Sequence, residues 1–375
     1  MSDTAEVTRA AAAPNAMDGS PSPTNIARHG HEPTSRIAQP STFLLPRGQN
    51  RAMQDKPLSS VDRDQLSGLK AIRDFLKKRT SYDVLPLSFR LIILNTDLLV
   101  KKSLTILLQN GIVSAPLWDS HTSTFAGLLT TSDYINVVQY YWQNPDALSQ
   151  IDQFRLSSLR EIEKAIGVSP LETLSVHPMR SLYEACRQML KTRARRIPLV
   201  DVDDETGREM VVSVITQYRL LKFIAVNVTE TEMLKKTVSE IDLGTYGDLQ
   251  TANMDTSVID VIHMMVKYSI SSVPILDEDR RVQNVFEAVD VIAVIKGGAY
   301  DELTTSVGEA LSKRAEDFAG IYTCSEEDRL DSIFDTIRKS RVHRLVVIDD
   351  ENRLRGVISL SDILKYVLLY GESDD

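Results

Sequence analysis

The segment RLDSIFDTIRKSRVHRLVVIDDENRLRGVISLSDILKYVLL, residues 329–369, reads as helix, strand, polar turn, strand and helix. Its two outer stretches space their apolar residues three and four apart, whereas RLVVI and GVISL are short apolar runs bounded by turn residues. Working towards the N-terminus, the same order recurs in SVIDVIHMMVKYSISSVPILDEDRRVQNVFEAVDVIAVI, residues 257–295. It recurs again in SLYEACRQMLKTRARRIPLVD (181–201), the turn DDETGRE (203–209) and MVVSVITQYRLLKFIAV (210–226). In the first copy, Asn95-Thr96-Asp97 are expected to cap the helix LLVKKSLTILLQ, and Asn110-Gly111 to end it. IVSAPLWD and FAGLLTT then read as strands, and Ser132-Asp133 opens a second helix.

The ends of the four second strands align as TTSD (130–133), TQYR (216–219), EAVD (287–290) and SLSD (359–362). Three first strands carry a proline, Pro116, Pro198 and Pro274, where the fourth has Val346; a strand proline predicts an edge or a strand end. The repeats are expected at 81–143, 165–228, 240–298 and 316–371. One such unit is too small to cover both faces of its sheet, so two pairs are expected rather than four separate units. Residues 1–60, rich in Ala, Pro, Ser and Thr, predict a disordered arm, and LSGLKAIRDFLKKRT (66–80) an amphipathic helix leading into the first repeat.

The totals exclude several classes. Charged residues at 25% and apolar ones at 42% describe an ordinary globular chain, and a net charge of -9 argues against coating nucleic acid or an anionic membrane. No apolar run approaches the ~20 residues that span a bilayer, and the N-terminus has no signal-peptide core. Cys186 and Cys324 lack metal or disulfide spacing, and His29, His31, His121, His177 and His263 lack ligand spacing. The location expected from this is cytoplasmic and nuclear.

The repeated unit resembles the CBS domain, and its tandem arrangement the Bateman module. SYDVLPLSFRLIILNTDLLVKKSLTILLQNGIVSAPLWDS (81–120), RRIPLVD (195–201), GTYGDLQ (244–250), VHRLVVIDD (342–350) and GVISLSDIL (356–364) carry a closer likeness. They resemble the gamma subunits of the AMP-activated, or sucrose-nonfermenting, protein kinase, most of all the fungal type. The resemblance implies an α/β (α+β) CBS fold, with four repeats forming two Bateman modules in a flattened disk. It implies AMP, ADP and ATP as competing ligands with no other cofactor. It also implies a heterotrimer with a kinase-bearing alpha subunit and a scaffolding beta subunit.

A nucleotide needs an acceptor for its ribose hydroxyls, donors for its phosphate and an apolar slot for its base. Asp133, Asp290 and Asp362, each at a helix start, suit the first task, while also suiting simple helix capping. Arg219 stands in their place in the second repeat and has no acceptor atom, so three ribose sites are expected rather than four. Thr130 and Ser132, and Ser359 and Ser361, offer hydroxyls; the third repeat has Glu287 and Val289 instead. Arg195-Arg196 and His343-Arg344 lie at equivalent points and could chelate phosphate. The resemblance adds Thr245 in GTYGD as a phosphate contact. It also marks Val113, Ser269 and Ala288 as places where animal members carry a cation. The primary site is therefore expected around Asp362, from Thr245, Ser359, Ser361, Arg195, Arg196 and His343. Arg344, Asp133, Thr130, Ser132 and Asp290 are secondary.

No Gly-rich phosphate loop, nucleophile elbow or kinase signature appears, so a binding module rather than an enzyme is expected. The alternative is a scaffold subunit of the kinase complex whose nucleotide sites are vestigial.

Overall fold

A computed structural model describes residues 58–372 except 87, 89, 147–152, 169–173, 193, 297–299, 315–317 and 319. The arm expected at 1–60 falls almost wholly outside the described residues. In chain order the helices are α1 (Ser60–Lys78), α2 (Val100–Gln109), α3 (Thr131–Gln143), α4 (Leu159–Ala165), α5 (Leu182–Lys191), α6 (Gln217–Asn227), α7 (Val258–Tyr268), α8 (Ala288–Val294), α9 (Val307–Ser312), α10 (Leu330–Lys339) and α11 (Leu360–Leu369). The strands are β1 (Leu94–Asn95), β2 (Ser114–Asp119), β3 (Thr124–Thr130), β4 (Arg196–Val202), β5 (Glu209–Thr216), β6 (Ser272–Leu276), β7 (Val282–Glu287), β8 (Thr323–Cys324), β9 (Arg344–Ile348) and β10 (Leu354–Ser359).

One register recurs in every repeat. The two long strands pair antiparallel so that Ser114 faces Thr130, Arg196 faces Thr216, Ser272 faces Glu287 and Arg344 faces Ser359. A very short parallel segment lies along the other side of the first strand, pairing Leu94 with Leu117, Val176 with Leu199, Ala252 with Ile275 and Cys324 with Val347. The strand of Pro116 is therefore the centre of a three-stranded sheet, not an edge as expected, whereas β4 and β6 lie in two-stranded sheets and meet a further neighbour only at a single bridge. The prolines are tolerated because the parallel segment begins only opposite their carbonyls. Val176 N–H donates to Pro198 O, and Ala252 N–H to Pro274 O, so no donor is required of the ring nitrogen.

Two helix starts also differ from expectation. Asn95 does not cap α2: its Oδ1 accepts from Asp97 N–H in a local turn, and Leu99 precedes the helix without a side-chain cap. Helix α1 begins at Ser60, where Ser59 and Asp62 form a capping box, rather than at Leu66. Nor does it pack into the first repeat: Leu69, Ile72 and Leu76 are buried with Leu182, Leu220, Ile363 and Val367, in the core that unites repeats two and four.

The linkers show how the repeats pair. The residue before the first helix of each repeat pairs with the segment leading into its neighbour: Leu99 with Arg155, Ser181 with Thr80, Ser257 with Ser306, and Arg329 with Thr237. The exchange is reciprocal between repeats one and two, and between three and four. The sheets follow the same pairing, with Phe125 N–H on Glu209 Oε2 at 2.7 Å in one pair and Leu276, Val285, Val346 and Leu354 buried together in the other. The helices pair differently. Those of repeats one and three share a core around Tyr134, Val138, Ile262 and Phe286, and those of two and four share another around Leu221, Phe334 and Ile363. Each repeat thus covers its sheet with one neighbour and its helices with another.

Candidate functional site

The second helix of each repeat begins where β3, β5, β7 or β10 ends, and the last strand residue is the cap: Thr130, Thr216, Glu287 and Ser359. The aspartates sit three residues on and are not themselves caps. Asp133 Oδ2 accepts from Thr130 N–H at 2.6 Å and Thr130 Oγ1–H at 2.7 Å. Asp362 Oδ2 accepts from Ser359 N–H at 2.8 Å and Ser359 Oγ–H at 2.7 Å. In both, Oδ1 accepts no hydrogen bond from the described residues. The Thr130 and Ser359 hydroxyls each donate to the aspartate three residues on. Arg219 holds the corresponding place in α6, its N–H on Thr216 Oγ1, and offers no carboxylate.

The third repeat differs, through a residue that local reading missed. Arg314, just after α9, donates Nε to Asp290 Oδ1 at 2.8 Å and Nη2 to Asp290 Oδ2 at 2.5 Å. Its remaining donors reach Asn284 Oδ1 and Val285 O, and its guanidinium lies 4.3 Å from the Phe318 ring centroid. Asp290 is buried, and both of its oxygens are taken. An arginine in the linker string LSKRAED gave no local signal of this contact.

Around Asp362 the structure brings together cations from two repeats. Arg196 and Arg344 each begin a first strand, opposite Thr216 and Ser359. Gln217 ties the two repeats together: its N–H donates to Arg195 O at 3.1 Å, and its Oε1 accepts from Ser361 Oγ–H at 3.0 Å, next to Asp362. Tyr218 lies with its ring 6.4 Å from His343. Thr245 forms a two-bond ladder with Val357, which places it alongside β10 near Ser359. Glycine permits this approach: Gly244 has φ +120°, and a Cβ on Gly356 would meet Tyr246 Cδ1 at 2.7 Å.

The cations crowd one another. Burial, then the like charges of Arg344 and Arg196, pull the Arg195 pKa down to about 10. The same side chain is open to solvent, so the crowding is that of a wet cleft and not of a sealed core. Burial also lowers the pKa of Arg196, Arg344 and His343; Glu287 opposes the shift at the last two. Arg344 Nε lies 2.8 Å from Glu287 Oε1, yet off the hydrogen-bond axis, so this buried donor lacks an aligned acceptor. Clustered cations with an incompletely paired Arg344, on the strand that pairs with the one leading into Asp362, suit a phosphorylated ligand.

Repeats one and three lack these cations. The strand-start pairs there are Val113-Ser114 and Ser271-Ser272. Ser269 is instead the left-handed C-cap of α7, and Ala288 is the buried first residue of α8. Ser132 is exposed beside Asp133.

Asp133 borders a cavity of about 230 Å³, lined by Thr96, Leu117, Asp119, Ala126, Leu128, Leu156, Ser157, Leu159 and Arg160. A wider depression of about 490 Å³ near α10 carries Glu232, Glu327, Asp328, Asp331 and Asp335, with Arg329 and Arg338. It includes no residue expected to bind nucleotide, and its acidic excess opposes phosphate. Cys186 and Cys324 are buried, and burial pushes both thiols up to about 12. His121 pairs with Asp97 and His177 with Asp201, and no metal-holding group of His, Cys, Asp or Glu occurs among the described residues.

Known proteins agree with this architecture. The CBS domain family matches residues 168–226, 238–297 and 315–369; the first repeat lies outside the match, although the structure shows it in the same register. A Methanocaldococcus jannaschii crystal structure, proposed to be an archaeal homologue of the AMPK gamma subunit, superposes with a TM-score of 0.61 at 15% identity, over 77% of this chain and 99% of that one; it shows the fold. The 5'-AMP-activated protein kinase subunit gamma of Kluyveromyces lactis is 55% identical over 317 residues, which cover 84% of this chain and 97% of that protein. The Saccharomyces cerevisiae protein of the same name is 56% identical over 309 residues, 82% of this chain and 96% of that protein. With four CBS repeats in one register and this identity along nearly the full length of both relatives, the chain belongs to the family of 5'-AMP-activated protein kinase gamma subunits.

Proposed function

We propose that this subunit is the non-catalytic adenine-nucleotide sensor of a heterotrimeric kinase, working with a kinase-bearing alpha and a scaffolding beta subunit. AMP, ADP and ATP compete at one primary site, in the fourth repeat. Asp362 Oδ1 accepts the ribose hydroxyls; Arg195, Arg196, His343 and Arg344 hold the phosphates; Thr245 and Ser361 complete the polar rim. The observation that carries this reading is the Gln217 bridge, which sets the cationic strand start of repeat two beside a carboxylate of repeat four.

A ligand here regulates only through unequal affinity for two states of the complex. Phosphates held by Arg195 and Arg344 would link repeats two and four directly and reach repeat three through Glu287, so occupancy bears on how the repeats are set against one another.

Calorimetric titration of AMP into the chain, purified with its partner subunits, is expected to show about one equivalent. Asp362→Ala is expected to abolish it, and ADP or ATP to displace AMP. Heat unchanged by Asp362→Ala removes the assignment. Absence of binding favours a scaffold with vestigial sites, a reading that the closed Asp290 already suits for repeat three.

A further inference from the structure

We propose that Glu287 is a built-in counter-anion of the phosphate site: a carboxylate of repeat three that competes with the ligand's phosphate for Arg344 and so holds its affinity down. This rests on the adenine-nucleotide reading of the Asp362 site and names a residue that tunes it.

Glu287 is out of place for a purely local role. The last residue of the second strand precedes the helix that follows, and three repeats carry a hydroxyl there, on Thr130, Thr216 and Ser359. Repeat three has a carboxylic acid instead. Glu287 does close a capping box with Asp290. Yet serine and threonine are preferred caps and glutamate is not, so capping gives no reason for a glutamate here. Its surroundings do. Glu287 Oε1 lies 2.8 Å from Arg344 Nε, and the two side chains are only 22% and 17% exposed. Its negative charge also favours the protonated forms of Arg195 and His343. One carboxylate from repeat three thus faces cations from repeats two and four.

The contact with Arg344 neutralises charge without completing a bond. Arg344 Nε is buried and has no aligned acceptor, so this donor is still to be used. A phosphate oxygen can approach a guanidinium along its N–H directions, and two such oxygens can take two donors at once. Phosphate would therefore replace Glu287 as the partner of Arg344. The carboxylate, left at short range in a partly desolvated cleft, would repel it. Without a ligand, Glu287 spares the fold a cluster of unpaired buried cations. With one, it is the charge that the phosphate must overcome. Because Glu287 ends β7 and precedes α8, its displacement would act on the start of α8, beside Asp290.

The test titrates AMP into the heterotrimer whose gamma subunit carries Glu287→Thr, which supplies the hydroxyl found in the sister repeats and removes the charge. AMP is expected to bind roughly tenfold tighter. Its affinity is also expected to fall more steeply with added salt, because one more cation is left to the phosphate. Glu287→Gln, which keeps the length of the side chain, is expected to act in the same direction and serves if the threonine variant folds poorly. A purely structural Glu287 predicts the opposite sign, since its loss would disturb the capping box and Arg344 together. AMP binding that is unchanged or weaker in either folded variant, or tighter with the salt dependence unaltered, overturns the proposal. Failure of the primary reading appears separately, as AMP binding to the unsubstituted complex that is absent or insensitive to Asp362→Ala.

Discussion

Asp133 and Asp290 occupy the same place in two copies of one unit and have met opposite fates. Burial raises the Asp133 pKa to about 6, with Glu163 adding to the shift and the Thr130 hydrogen bonds and Arg160 opposing it. A carboxyl raised in the folded state stabilises the fold below its unfolded value of about 3.8, and that contribution is lost as pH rises through about 6. The ionised group then costs on the order of 3 kcal/mol at neutral pH. Asp133→Asn is therefore expected to raise stability by ~1–3 kcal/mol at pH 7.5 and by almost nothing at pH 4, as read from denaturant midpoints. A gain that persists at pH 4 would contradict the account. Asp290 instead has Arg314. Removing the arginine alone leaves an unpaired buried charge, so Arg314→Ala is expected to lose ~3–5 kcal/mol. Arg314→Ala with Asp290→Asn is expected to recover most of it, and a cycle with coupling below ~1 kcal/mol would show the pair to be incidental.

Among the elements, α1 and the GTYGD segment act far from their positions in sequence. Arg73 of α1 donates Nη1 to Val367 O and Tyr370 O, at 3.2 and 2.8 Å, and so satisfies the carbonyls at the end of α11. Arg73→Met keeps much of the packing and removes these bonds; a loss of ~1.5–3 kcal/mol is expected in chemical denaturation. Thr245 is held to Val357 only because Gly244 adopts a positive φ and approaches Ile358 closely. Gly244→Ala would force the segment off β10. AMP affinity is then expected to fall by roughly tenfold, the worth of one charge-assisted bond from Thr245, as read by calorimetric titration.

At the scale of the molecule, the linkers pair repeat one with two and three with four, while the helices pair one with three and two with four. Loss of the α1 contacts should therefore be felt in repeats two and four before repeat one. In a chain carrying Ile72→Ala, a change worth ~2–5 kcal/mol in a packed core, hydrogen exchange is expected to quicken in α5 and α11 and to leave α2 unchanged. Equal loss in α2 would mean that the cores open together.

The repeated unit, its order and the aspartate three residues after three of the four strand ends were determined by sequence alone, because helix periodicity, strand runs and capping boxes involve residues only a few positions apart. The equivalence of Arg196 and Arg344 was legible for the same reason: both are counted from a strand that begins alike. Tertiary structure alone decided the rest. Nothing local shows that Arg314 closes Asp290, that Glu287 meets Arg344, or that Gln217 joins Arg195 to Ser361, since these contacts join residues 22 to 144 apart in sequence. The Pro116 strand became central because a two-residue strand from the segment before α2 pairs along it. Periodicity specifies which face of each element is apolar. Which other face it meets, and so which carboxylate is left open, depends on the order in which four similar surfaces close on one another.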